Sequence, residues 1–173
     1  MKKILTLALA LALTVTALAG CSGKSGSANS DKTPEELTEL YSSAITDNGG
    51  EMVEYNPVFT EVKEDDMSAI ILENLGLLVE DMKAFAVSSS VMNVQAYGIA
   101  AVMPAEGKAE TVTDALQSYI DAQKASFEQY LADQYEVASN AKLETLEDGT
   151  VLMVMCEDQD TVFDAISAAI LAD

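Results

Sequence analysis

The chain has 173 residues, enough for one domain, and carries a formal charge of −20 with no arginine and no histidine. That balance excludes a nucleic-acid binder, because phosphate recognition runs on clustered Lys and Arg, and it argues against adhesion to anionic head groups. A cationic partner, a metal cation or a neutral sugar stays open, although acids that merely keep a surface protein soluble are the plainer reading.

Met1-Lys2-Lys3 is a positive start, and Ile4 to Ala19 is an apolar stretch rich in Leu and Ala. As a helix it would span roughly 24 Å, short of the roughly 30 Å hydrocarbon core, so it reads as an export signal rather than a membrane span. Ala17-Leu18-Ala19 suits ordinary signal peptidase. Leu18-Ala19-Gly20-Cys21 resembles the lipobox of bacterial lipoproteins, and is the stronger signal. That resemblance makes Leu18, Ala19 and Gly20 the recognition sequence of signal peptidase II and Cys21 the lipid attachment site. Cleavage there removes Lys2 and Lys3, leaving seven lysines against 29 acids, a formal −22. Cys156 is then the one cysteine besides Cys21, so no disulfide within the chain is expected.

Residues 22–32 are small and polar and read as a flexible tether. Gly23-Lys24-Ser25 lacks the earlier glycine and the flanking elements of a phosphate-binding loop. The organisation expected is a signal peptide over 1–20, a lipidated Cys and tether over 21–32, and a single domain over 33–173.

Thr33-Pro34-Glu35-Glu36 is a helix start, with Leu37, Leu40, Tyr41, Ala44 and Ile45 on one face and Asn48-Gly49-Gly50 as the stop. A shorter helix follows Glu64-Asp65-Asp66, with Met67, Ile70, Ile71 and Leu75 inward. Met82–Ser89 and Val94–Met103 read as a β-hairpin ended by Pro104. One long helix is expected from Val112 through Ile120 and Phe127 to Tyr130 and Leu131. Lys142–Thr145 and Thr150–Cys156 form a second hairpin across Glu147-Asp148-Gly149. The last helix is capped by Asp158 or Asp160 and turns Val162, Phe163, Ile166 and Ile170 inward. The order predicts an α+β fold: a single antiparallel sheet from two ββα units, helices packed on one face, preceded by one or two helices.

Gln123-x-x-x-Phe127-x-x-Tyr130, then Gln134-Tyr135-Glu136, then Gly149 before an apolar strand, resembles the domain-of-unknown-function family 4358 over about Leu75 to Ile170. The resemblance implies a small lipoprotein of Gram-positive, largely gut-dwelling bacteria. It also implies an acid near the start of the second strand, where this chain has Tyr97 and Gly98. Some relatives sit beside membrane O-acyltransferases, which implies an accessory role in modifying surface polysaccharide. The family supplies no established activity.

Without histidine, Ser-His-Asp, Cys-His and His-containing zinc arrangements are absent. Ser88-Ser89-Ser90 with Lys83 lacks the spacing of an acyl-transfer motif and reads as turn residues. Acids are too abundant for any pair to count as evidence of glycoside hydrolysis. Glu157, Asp158, Asp160 and Asp164 form one acidic cluster, Glu64 to Asp66 another; capping is favoured over calcium, with Asp158 and Asp160 as the weak metal candidates. Cys156 reads as apolar filler, and Gln123 either bonds to the sheet or lines a groove. The expectation is a membrane-anchored, non-enzymatic binding or accessory module without a cofactor, meeting a protein partner at the cell surface. A solute or cation binder is the alternative, and a hydrolase lacking histidine stands behind both.

Overall fold

The computed structural model describes residues 31–63 and 66–172. The leader, Leu18, Ala19, Gly20, Cys21, most of the tether, Glu64 and Asp65 lie outside the described residues. Helix α1 (Pro34–Asn48) opens with the capping box read from the sequence: Thr33 Oγ1 accepts from the Glu36 amide, and the Glu36 carboxylate accepts from the Thr33 amide. Helix α2 (Met67–Leu75) starts on Asp66, whose side chain accepts from the Met67 amide, and stops at Gly76 in the left-handed conformation.

Strands β1 (Met82–Ser89), β2 (Gly98–Pro104), β3 (Lys142–Thr145) and β4 (Val151–Met155) form one antiparallel sheet in the order β1-β2-β4-β3. Two hairpins therefore meet at the β2–β4 seam. Helices α3 (Ala109–Phe127) and α4 (Ala132–Ser139) lie between the hairpins in sequence, and α5 (Gln159–Leu171) follows the second. The α+β class, the single antiparallel sheet and the succession of hairpin and helix are as expected.

The placement of every helix on one face is corrected: helices cover both. Along β1, β2 and β4 successive side chains enter opposite cores. Phe85, Val87, Ala100, Val102, Val151 and Met153 pack under α2, α3 and α4. Ala84, Ala86, Ile99, Ala101, Leu152 and Val154 pack under α1 and α5. The physical reason is in β4, where Val151-Leu152-Met153-Val154-Met155 is apolar without a polar alternate, a strand that must be buried on both sides. Three alanines on the second face let α1 and α5 approach closely.

Two further expectations change. Met67 and Ile70, expected inward, are exposed, while Ile71 and Leu75 are buried as expected and Leu72 joins them. The long helix expected through Leu131 ends at Phe127, and the chain restarts as α4. No glycine or proline marks this break. Tyr130, expected in the core stripe, is 55% exposed in the connection.

The described chain enters at one end of the sheet, where the Lys83 ammonium donates to the Lys32 carbonyl beside the start of β1. Helix α1 runs from there to the other end, so that a Cβ added at Gly49 would meet the Ile99 side chain at 3.2 Å. The 90–97 connection lies at that far end, about 23 Å away along the rise of β1.

Candidate functional site

The far end of the sheet collects most of the sequence's candidate residues. Its centre is the β1–β2 connection, residues 90–97, an apolar loop without a charge. Val91, Met92 and Val94 are 47%, 63% and 60% exposed. Side chains so exposed add little to folding where they stand. The loop is nevertheless fastened at both ends and in the middle.

At its base two hydroxyl pairs straddle the sheet. Ser88 Oγ donates to the Asn56 carbonyl at 2.7 Å and so accepts from the Tyr97 hydroxyl at 2.9 Å. Ser89 Oγ and the Tyr119 hydroxyl lie 3.1 Å apart on the other face, both at 3.3 Å from the Tyr97 carbonyl. Gly98 makes room for this pair, since a Cβ there would lie 3.2 Å from the Tyr119 ring. The Ser90 amide closes the loop onto the Tyr97 carbonyl at 3.2 Å. Higher up, the Tyr130 hydroxyl donates to the Asn93 carbonyl at 3.3 Å and Ser126 Oγ to Asn93 Oδ1 at 3.1 Å. Gln134 Oε1 accepts from the Ala96 amide at 2.8 Å.

The motif residues thus have a shared geometry. Phe127 is fully buried and seats the end of α3, its ring 6.1 Å from that of Tyr130. Tyr130 and Gln134 reach from beyond the helix break to the loop backbone. Gln123 is half-buried, and its side-chain amide makes no hydrogen bond among the described residues; it lines a groove of about 320 Å³ with Asn74, Val91, Met92 and Asn93. Of the two readings of Gln123, the favoured bond to the sheet gives way to the groove. Tyr135 is exposed on α4 and lines neither hollow, and Gly149, at φ +90°, turns the β3–β4 hairpin at the opposite end. Those two do not join the site. The helix break is what the sequence hid, because Gln134 reaches Ala96 only once α4 has turned away from α3. A signal was available in the uncharged run from Ala84 to Ala105, long for a chain that is 22% charged.

On the other side of the loop lies a cleft of about 440 Å³ bounded by Gly49, Met52, Gln95, Ala96, Gln134 and Cys156. Glu51, Glu157 and Asp158 stand exposed on its rim, and among the described residues no lysine lines it. Its buried titratable groups are neutral. Burial pushes the Tyr97 hydroxyl up to about 12. Burial likewise pushes the Cys156 thiol up to about 11, aided by the charges of Asp158 and Glu157. An activated thiol needs the opposite shift.

The remaining candidates are dispersed. Asp158 occupies the N-cap position of α5, but its side chain makes no capping bond, correcting that expectation. Asp160 pairs with Lys142 at 2.8 Å. Among the described residues no group of three Asp, Glu or Cys converges as a metal site. Lys83 lies at the start of β1 and Ser88 near its end, so the two do not meet.

The architecture defines a class first: a four-stranded antiparallel sheet clad by helices on both faces, with a fastened apolar loop at one end. The chain belongs to the family described as domain of unknown function (DUF4358), whose model matches residues 58–156. The match spans α2 to the end of β4 and contains the loop, Tyr130 and Gln134, leaving α1 and α5 outside it. No curated protein and no solved structure matches the chain.

Proposed function

We propose that this protein is a lipid-anchored, extracytoplasmic binding module without catalytic activity, tethered through Cys21 and holding a partner at the cell surface, with a role in surface-polysaccharide modification as one form of it. The observation that carries the binding reading is the 90–97 loop: exposed apolar side chains on a backbone held by Tyr130, Ser126 and Gln134. Side chains that folding would not place in water, on a segment already ordered, lower the entropic cost of meeting a partner. The neutral Cys156 and Tyr97 support recognition over nucleophilic chemistry.

The anchor rests on the lipobox-like Leu18-Ala19-Gly20-Cys21. Among the described residues no helix is long and apolar enough to cross a membrane. The mature protein is expected to partition with membranes and into detergent, and Cys21→Ala to release it. Intact mass decides: an unlipidated N-terminus at Gly20 in the native host contradicts the anchor.

A second reading, a small cationic solute in the cleft, is favoured by the acidic rim of Glu51, Glu157 and Asp158. Its test is a saturable rise in melting temperature with a primary amine, absent with the neutral alcohol of the same shape and lost in Glu157→Gln.

A further inference from the structure

We infer that the end of the molecule carrying loop 90–97 docks a polypeptide segment that presents an apolar side chain next to a basic one. The inference rests on the binding reading above and names the chemistry of the partner. Its first ground is the relation of the two hollows. The loop is a ridge between them: Val91 and Met92 wall the neutral groove beside Gln123, while Gln95 and Ala96 wall the cleft with the acidic rim. An occupant that covers the ridge meets apolar surface on one side and carboxylates on the other. A free amine fills only the second.

Position and charge decide between the remaining occupants. The described chain enters beside Lys83, at the opposite end of the sheet, so the loop points away from the origin of the tether. A bilayer that met that end would bring its anionic head groups to Glu157 and Asp158. A second copy docked by this same end brings the same acids and no described lysine to either hollow, in a chain of charge −20. A polypeptide with Lys or Arg beside Leu, Met or Phe satisfies both halves. Its apolar group covers Met92 and Val94, and its cation sits over the rim.

The test uses the lipidated full chain in neutral detergent micelles and a short fluorescent peptide of alternating Leu and Lys. One control peptide has Ser for Leu, the other Glu for Lys. The expected result is saturable binding of the Leu-Lys peptide alone, with Met92→Asp weakening it about tenfold, the loss of an interface anchor. The sign is informative, because Met92→Asp adds negative charge and would strengthen a merely electrostatic attraction. Val94→Ser should weaken binding in the same direction, Glu157→Gln should weaken it through the other half of the surface, and Leu78→Asp, exposed near the start of β1, should leave it unchanged.

Binding that is equal or tighter in Met92→Asp overturns the inference, as does the absence of saturable binding to any of the three peptides. Quenching of a fluorophore at Met92→Cys by brominated lipid in phosphatidylcholine vesicles would assign the surface to the membrane. A doubled mass by light scattering that Met92→Asp reverses would assign it to a second copy. Either result also overturns it. Failure here leaves the Cys21→Ala partition result and the amine melting result standing, so this inference and the broader reading fail separately.

Discussion

Phe127 and Gln123 stand four residues apart on α3 and make opposite claims on it. Phe127 is completely buried between helix and sheet, and Phe127→Ala should cost ~3–5 kcal/mol in denaturant melts. Gln123 borders the groove with its side-chain amide unbonded among the described residues, so Gln123→Ala should stay within roughly 0.5 kcal/mol, as at a surface site. A loss above ~1 kcal/mol there would mean that its amide is bonded after all. Cys156 carries a prediction in pH. Its folded value, about 11, lies above the ordinary 9.0. Below 9 both folded and unfolded chains hold the proton and the group is silent. As pH rises from 9 toward 11 the unfolded chain sheds the proton while the folded chain keeps it, so stability falls across that window. Cys156→Val should flatten this alkaline decline. An unchanged slope would mean that the thiol is more accessible than its setting implies.

The elements differ in how legible they were. The capping box at Thr33, the glycine turn at Gly149 and the spans of β1 and β3 carry local signals, and they stand where the sequence placed them. The end of α3 carries none. Its helical stripe runs past Phe127 into Tyr130 and Leu131, yet Tyr130 is turned out to bond Asn93, a tertiary choice that propensity does not encode. The same holds for Val94, which β-propensity assigns to a strand and the fold leaves in a loop. The two-faced burial of β4 was written in its unbroken apolar run, against the weight of the ββα pattern. One position tests the packing of elements around the loop. Gly98 starts β2 beneath Tyr119, and Gly98→Ala should cost about 1–3 kcal/mol by pressing on the Tyr119 ring and the Met153 methyl. A neutral substitution would show that Tyr119 can withdraw without loss.

Among the described residues no three acids converge as a metal site, and the excess of acids over lysines is a general repulsion. Added salt should raise the melting temperature by screening, equally for sodium and calcium chlorides at matched ionic strength. A saturable calcium-specific rise removed by Asp158→Asn and Asp160→Asn would overturn this. Charge also explains why the site was only half legible: the acidic clusters drew attention, while the functional candidate is the uncharged stretch between them. Its residues come from β1, β2, α3 and α4, and only the closed sheet brings them together. The family match covers this assembly, whereas the helices of the second face lie outside it.

Hydrogen exchange at the Ser90 and Ala96 amides tests most directly whether the exposed loop is a prepared surface. The bonds to the Tyr97 carbonyl and to Gln134 Oε1 predict that both amides are protected well beyond exposed-chain rates. Gln134→Ala should release Ala96 while lowering global stability by only ~1 kcal/mol. Exchange of both amides at unstructured rates in the unaltered protein would contradict the account, because a loop that is not held in advance has no reason to keep Val91, Met92 and Val94 in water.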